Sequence, residues 1–122
     1  MKVWIPRWYL EDLSLDLKDG DSVDWIIIPA HREWYTDMLG DDAPSWEIDS
    51  IASDSPNARP IAGAIKEIYA IAPDFEQDKA PSAADRWPTG AKTQKVENTF
   101  KVHQLDISIH VTGFVVNVES SL

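Results

Sequence analysis

Residues 105–118, Leu-Asp-Ile-Ser-Ile-His-Val-Thr-Gly-Phe-Val-Val-Asn-Val, carry the clearest periodicity in the chain. Leu105, Ile107, Ile109 and Val111 alternate strictly with polar residues. Side chains two apart share one face of a strand, so this is β spacing and not helical spacing. After Gly113 the phase slips by one, and Phe114, Val116 and Val118 face together. A slip at a glycine predicts either a bulge that bends one long strand or a tight hairpin at Thr112-Gly113.

The same reasoning applies upstream. Val23 to Ile28 follows the turn signal Asp19-Gly20-Asp21 and reads as a strand with Val23, Trp25 and Ile27 on one face. Ile26 and Ile28 make its other face apolar too, which predicts a central strand with Trp25 in the core. Val3 to Leu10, rich in Trp, Ile and Tyr, predicts a first strand in which Pro6 requires an edge, with Trp4 and Trp8 on a shared face. Residues 60–72 fit two periods. Ile61, Gly63, Ile65, Tyr69 and Ile71 suit a strand, whereas Ile61, Ile65, Ile68 and Ala72 suit a helix. Gly63 and four β-branched Ile residues favour the strand.

One short helix is expected over 31–39. Trp34 and Met38, and Tyr35 and Leu39, are four apart on one stripe, and Gly40 follows at the C-terminal end. Residues 40–58 carry Pro44, Pro56 and five acids (Asp41, Asp42, Glu47, Asp49, Asp54) and predict a long acidic loop with one helical turn near Trp46 to Ile51. Residues 74–92, with Pro81, Pro88 and Gly90, predict a second long loop. The expected fold is therefore mainly β (α+β), a small five- to six-stranded OB- or SH3-like barrel with one short helix. A curved β-sandwich is the alternative. At 122 residues the chain, 1–122, fits a single domain, since domains commonly hold about 100–150 residues.

Charge limits the partners. Net charge is −10, and residues 1–58 hold four Lys/Arg against thirteen Asp/Glu. Nucleic acid needs basic side chains to replace its counterions, so no nucleic-acid partner is expected, and anionic membranes are disfavoured by the same repulsion. A basic protein is the expected partner, with Asp41, Asp42, Trp46 and Glu47 in the acidic loop as contact residues and Trp46 as the apolar anchor. No stretch nears the roughly 18 apolar residues of a membrane span, and no signal-like segment opens the sequence, so a cytoplasmic setting is expected.

Catalytic chemistry finds little to rest on. There is no cysteine, which removes thiolate nucleophiles, disulfides and Cys-based zinc sites. His31, His103 and His110 lack the spacing that aims two imidazoles at one metal, and His110 sits on the polar phase beside Ser108. Asp16, Asp19, Asp21 and Asp24 resemble a calcium loop, but Lys18 and Gly20 stand at the third and fifth positions, where oxygen ligands are required. No nucleophile elbow, phosphate loop or dinucleotide fingerprint is present. No catalytic residue, cofactor or metal is assigned.

Val3-Trp4 with Trp8, Gly20-Asp21-Ser22-Val23-Asp24-Trp25, Gly63 with Ile65 and Ile68, and Gly113-Phe114-Val115-Val116 resemble an uncharacterised bacterial family of domains of unknown function. Its pattern is a V-W-x3-W start and a G-D-x-V-x-W strand. The Cys-Cys pair that often follows the second Trp in that family is replaced here by Glu11-Asp12-Leu13. The resemblance supports the fold and implies no activity. The functional expectation is a non-catalytic protein-interaction module with an acidic face. A small-ligand binder or enzyme with a Trp-lined cleft, and an acidic inhibitor or immunity-type protein that captures a basic partner, are the alternatives.

Overall fold

A computed structural model describes residues 1–30, 32–49, 55–75, 88–99, 102, 104–105 and 110–120. Its strands are β1 (Lys2–Pro6), β2 (Ser22–Pro29), β3 (Trp46–Ile48), β4 (Arg59–Phe75), β5 (Pro88–Val96) and β6 (Gly113–Ser120). Helices α1 (Arg7–Asp12) and α2 (Arg32–Leu39) and a 3₁₀ turn at Gly40–Asp42 complete it. The fold is mainly β, as the sequence predicts.

Strand order is β2-β3-β1-β6-β4-β5, and β4 also pairs with β2, so five strands join in a ring of hydrogen bonds and β5 extends the sheet beyond it. The length of β4 makes this closure work. Residues Gly63 to Ile71 pair with β6 on one edge of the strand. On the other edge Arg59 to Ala64 pair with β2, and Ile68 to Phe75 pair with β5. Between those two partners the turn at residues 18–21 fills the gap, where Gly20 donates to the Ile65 carbonyl and Ile65 donates to that of Asp21. Gly20 has φ +88°, a conformation that residues with a Cβ avoid, which explains the turn signal. A bulge between Ile65 and Glu67 bends β4, as an extra residue in one strand must.

Alternation sorts side chains to the two faces of the sheet. Inside the ring, Val3 and Ile5 of β1, Ile65, Ile68 and Ala70 of β4, and Phe114, Val116 and Val118 of β6 are buried together. Phe114 lies between Ile5 and Ala70 in register, so the largest side chain sits beside the smallest. On the outer face, Trp4, Ile71 and Val115 are covered by Tyr35 and Met38 of α2, with Trp34 and Leu39 packed at the margin. The stripe expected on this helix is thus the one that docks.

Several expectations change. The first strand stops at Pro6, and Arg7–Asp12 is a helix. Pro6 takes φ −63° at the cap, Arg7 and Glu11 pair across one turn at 2.8 Å, and Leu10 turns inward to the core. Leu15 donates to the Leu10 carbonyl and Ser14 to that of Glu11, a Schellman ending that puts Ser14 at φ 51°. Trp4 is therefore buried and Trp8 exposed, and they share no face. Trp25 points inward but is only half-buried at the margin of the core, and Ile26 on the opposite face is exposed.

The turn expected near Trp46 is instead the short strand β3, because β1 and β2 each offer it an open edge. Residues 60–72 form strand, and β4 and β5 take both ends of the 74–92 loop. At Gly113 there is no bulge; β6 begins there, and the glycine lets Trp4 and the Ile5 carbonyl approach. Of the strand expected over 105–111, Leu105, His110 and Val111 are described and none is in a strand. Leu105 instead donates to the Val102 carbonyl in a tight turn. Residues 106–109, His31, His103, Trp87 and Lys101 lie outside the described residues.

Candidate functional site

The outer face of β1, β6, β4 and β5 carries polar and apolar rows that the register sets side by side. Lys2, Asn117 and Glu67 form one row, Val115, Tyr69 and Lys95 the next, and Ile71 and Thr93 a third. The end of α2 and the following 3₁₀ turn lie over part of this face, leaving a cavity of about 280 Å³. Val115 and Ile71 make its floor and Leu39 an apolar wall, while Lys2, Asp42, Glu67, Tyr69 and Thr93 provide the polar rim.

Two carboxylates stand at this rim in loose pairs. Lys2 Nζ lies 3.4 Å from Asp42 Oδ1, and Lys95 Nζ lies 3.7 Å from Glu67 Oε1. Both contacts are exposed, where water screens a pair and its worth is about 0–1 kcal/mol. The Tyr69 hydroxyl donates to Glu67 Oε2 at 3.1 Å. This bond, together with partial burial and the negative charge of Glu67, raises the phenol above its ordinary value, so Tyr69 stays a neutral donor. The rim can thus accept hydrogen bonds from a cation while the floor takes an apolar stem.

The residues expected to meet a partner fall in different surroundings. Asp41 and Asp42 are exposed on the 3₁₀ turn, and Asp42 joins the cavity. Glu47 is half-buried on the outer face and accepts the Tyr35 hydroxyl at 2.7 Å. Trp46, its neighbour in β3, points the other way, packs against the inner core and carries the Arg59 guanidinium 4.4 Å from its ring centre. Strand alternation separates these two side chains, so the structure does not gather all four residues on one surface. Glu67 and Tyr69 were missed in the sequence. Their signal is the outward phase Glu67-Tyr69-Ile71, visible only once the bulge before it is known.

Burial, and then the bond to Glu47 and its charge, push the Tyr35 phenol far above its ordinary range. The unfolded phenol ionises near pH 10, whereas the folded one keeps its proton higher, so its stabilisation is whole below about pH 10 and is lost as pH rises through the folded value. Between about pH 10 and the folded value the wild type should lose up to about 1.4 kcal/mol more per pH unit than Tyr35→Phe in urea denaturation. Parallel pH profiles for the two proteins would contradict this assignment.

Asp21 accepts the Lys18 amide at 3.1 Å, so one acid of the calcium-like stretch serves the turn. Lys92 and Lys95 are exposed on β5, and His110 is exposed. Among the described residues no group of three or more His, Cys, Asp or Glu could hold a metal, and no helix is long and apolar enough to cross a membrane. Comparison with curated proteins and with solved structures gives no match. A family model does match, over residues 1–120, in keeping with the resemblance to a family without assigned activity. The chain belongs to the family of unknown function DUF6578.

Proposed function

We propose that this protein is a non-catalytic binding module of the cytoplasm that takes a basic side chain of a partner protein into the outer-face cavity. The observation that carries this reading is the pair of rim carboxylates, Asp42 and Glu67, above the apolar floor of Val115 and Ile71. An arginine or lysine has the matching shape, an apolar stem ending in donors. Its head group replaces the loosely held Lys2 and Lys95 as partner to the acids, and its stem covers the floor. Glu33, Asp37 and Asp41, spaced four apart and exposed along α2 and the 3₁₀ turn, add negative potential beside the entrance and speed the encounter at low salt. A tryptophan-lined cleft has less support, because Trp4 is buried beneath α2 and Trp34, on α2 itself, packs against it.

Titration with arginine-containing hexapeptides, followed by amide chemical shifts, tests the proposal. The expected shifts concentrate at Leu39, Asp42, Tyr69, Thr93 and Val115, weaken with salt, and disappear in Asp42→Lys/Glu67→Gln. Glutamate-containing peptides should give none. Diffuse shifts over all acidic surfaces, unchanged in the double variant, would reduce the site to general charge attraction.

A further inference from the structure

A second surface, separate from the outer-face cavity, lies on α1 at the far end of β1. Trp8 and Leu13 are among the most exposed large apolar side chains, at 49% and 52%. They are not isolated. Trp8 meets Tyr9 edge-on at 6.1 Å between ring centres, and Tyr9 and Leu13 are one helical turn apart on the same side. The result is an apolar patch on a short helix, with Trp8 and Leu13 exposed and Tyr9 between them partly buried against the core. Leu15, 44% exposed, extends apolar surface to the mouth of a cavity of about 300 Å³ whose floor includes Leu10 and Phe114. Exposed large aromatics of this kind are the anchors of protein interfaces.

The charges around the patch select the occupant. Asp12 and Asp16 are exposed beside these apolar residues, and Glu11, exposed too, is paired with Arg7 at 2.8 Å. A second copy of a chain with net charge −10 would bring like charges together here, and an anionic lipid surface would be repelled. A partner with basic residues flanking an apolar stripe satisfies both features, and a helix presents that pattern on one face.

We propose that the exposed side of α1 is a docking surface for a basic amphipathic helix of another protein, with Trp8, Tyr9 and Leu13 as its apolar contact and Asp12 and Asp16 as its charge complement. This contact is independent of the basic side chain assigned to the outer-face cavity.

The probes are two synthetic amphipathic helical peptides, one of leucine and lysine and one of leucine and glutamate, measured by calorimetry against the full chain. The lysine peptide should bind, the glutamate peptide should not, and added salt should weaken the complex. Truncating a central aromatic anchor commonly costs tenfold or more, so Trp8→Ala should weaken binding by about tenfold at least, with Leu13→Ser close behind. Both side chains are exposed, so circular dichroism of the variants should match wild type. In the Asp42→Lys background, where the outer-face cavity no longer takes a lysine, the peptide should still bind and Trp8→Ala should still weaken it, which separates this surface from that cavity. Equal binding of both peptides, or wild-type affinity in Trp8→Ala, overturns the proposal. So does sedimentation showing self-association that Trp8→Ala abolishes, since the occupant would then be a second copy.

Discussion

Phe114→Ala is expected to cost about 3–5 kcal/mol of folding stability, a large share of the roughly 5–15 kcal/mol that holds a domain together. Phe114 is 1% exposed and lies inside the ring near the start of β6, in register with Ile5 on one side and Ala70 on the other. Ala70 cannot grow to fill the space that the ring leaves, and Ile5 and Ile68 are held by their own strands. The hole therefore persists, adding a cavity penalty to the lost transfer energy. The strands around it are closed by hydrogen bonds on both edges, which limits collapse further. Urea denaturation of the two proteins at neutral pH measures the difference. A loss under about 1 kcal/mol would mean that the interior around Phe114 is loose enough to relax into the space.

Gly63→Ala is expected to be comparably damaging for an opposite reason, excess volume. Gly63 pairs with Val23 of β2 on one edge and with Ser120 of β6 on the other, so it stands where the ring closes. A methyl group there falls onto the backbone carbonyl of Glu119, 2.9 Å from its carbon, and 3.0 Å from Val118 Cγ1. A backbone carbonyl fixed in a ladder cannot swing aside as a side-chain end can. Overpacking of this kind usually costs about 1–3 kcal/mol, and the high end or beyond is expected here because the adjustment must open a strand pairing. The neighbouring exposed position provides the control, with Ala62→Ser staying within about 0.5 kcal/mol. Equal melting temperatures for Gly63→Ala and the control would show that β4 and β6 are farther apart at this point than the structure places them.

The bulge in β4 also explains why residues 60–72 read two ways. Ile61 and Ile65 precede it, while Ile68, Ala70 and Ala72 follow with the phase shifted by one. A strand whose inward positions run 61, 65, 68 and 72 imitates helical spacing, although each half alternates by two. The candidate cavity was hidden for the same reason. Glu67 and Tyr69 become outward neighbours only after the shift, and Asp42 reaches them from a segment far away in the chain.

What the amino-acid order determined by itself is local. The α2 stripe of Trp34, Tyr35, Met38 and Leu39, the Asp19-Gly20-Asp21 turn, the strand character around Val23 and Ile27, and the inward set Phe114, Val116 and Val118 all follow from periods of two or 3.6 and from turn chemistry. These depend on interactions between residues a few positions apart, which a sequence displays directly. Tertiary structure decided the rest. Residues Arg7–Asp12 became a helix because β1 ends at Pro6 and Leu10 finds the core, and Trp46–Ile48 became a strand because β1 and β2 left a gap between them. The burial of Trp4 with the exposure of Trp8, the separation of Trp46 from Glu47, and the meeting of Asp42 with Glu67 depend on where distant strands pair. That pairing is set by the free energy of closing the ring around one interior, a property of the whole chain that no window of neighbouring residues contains.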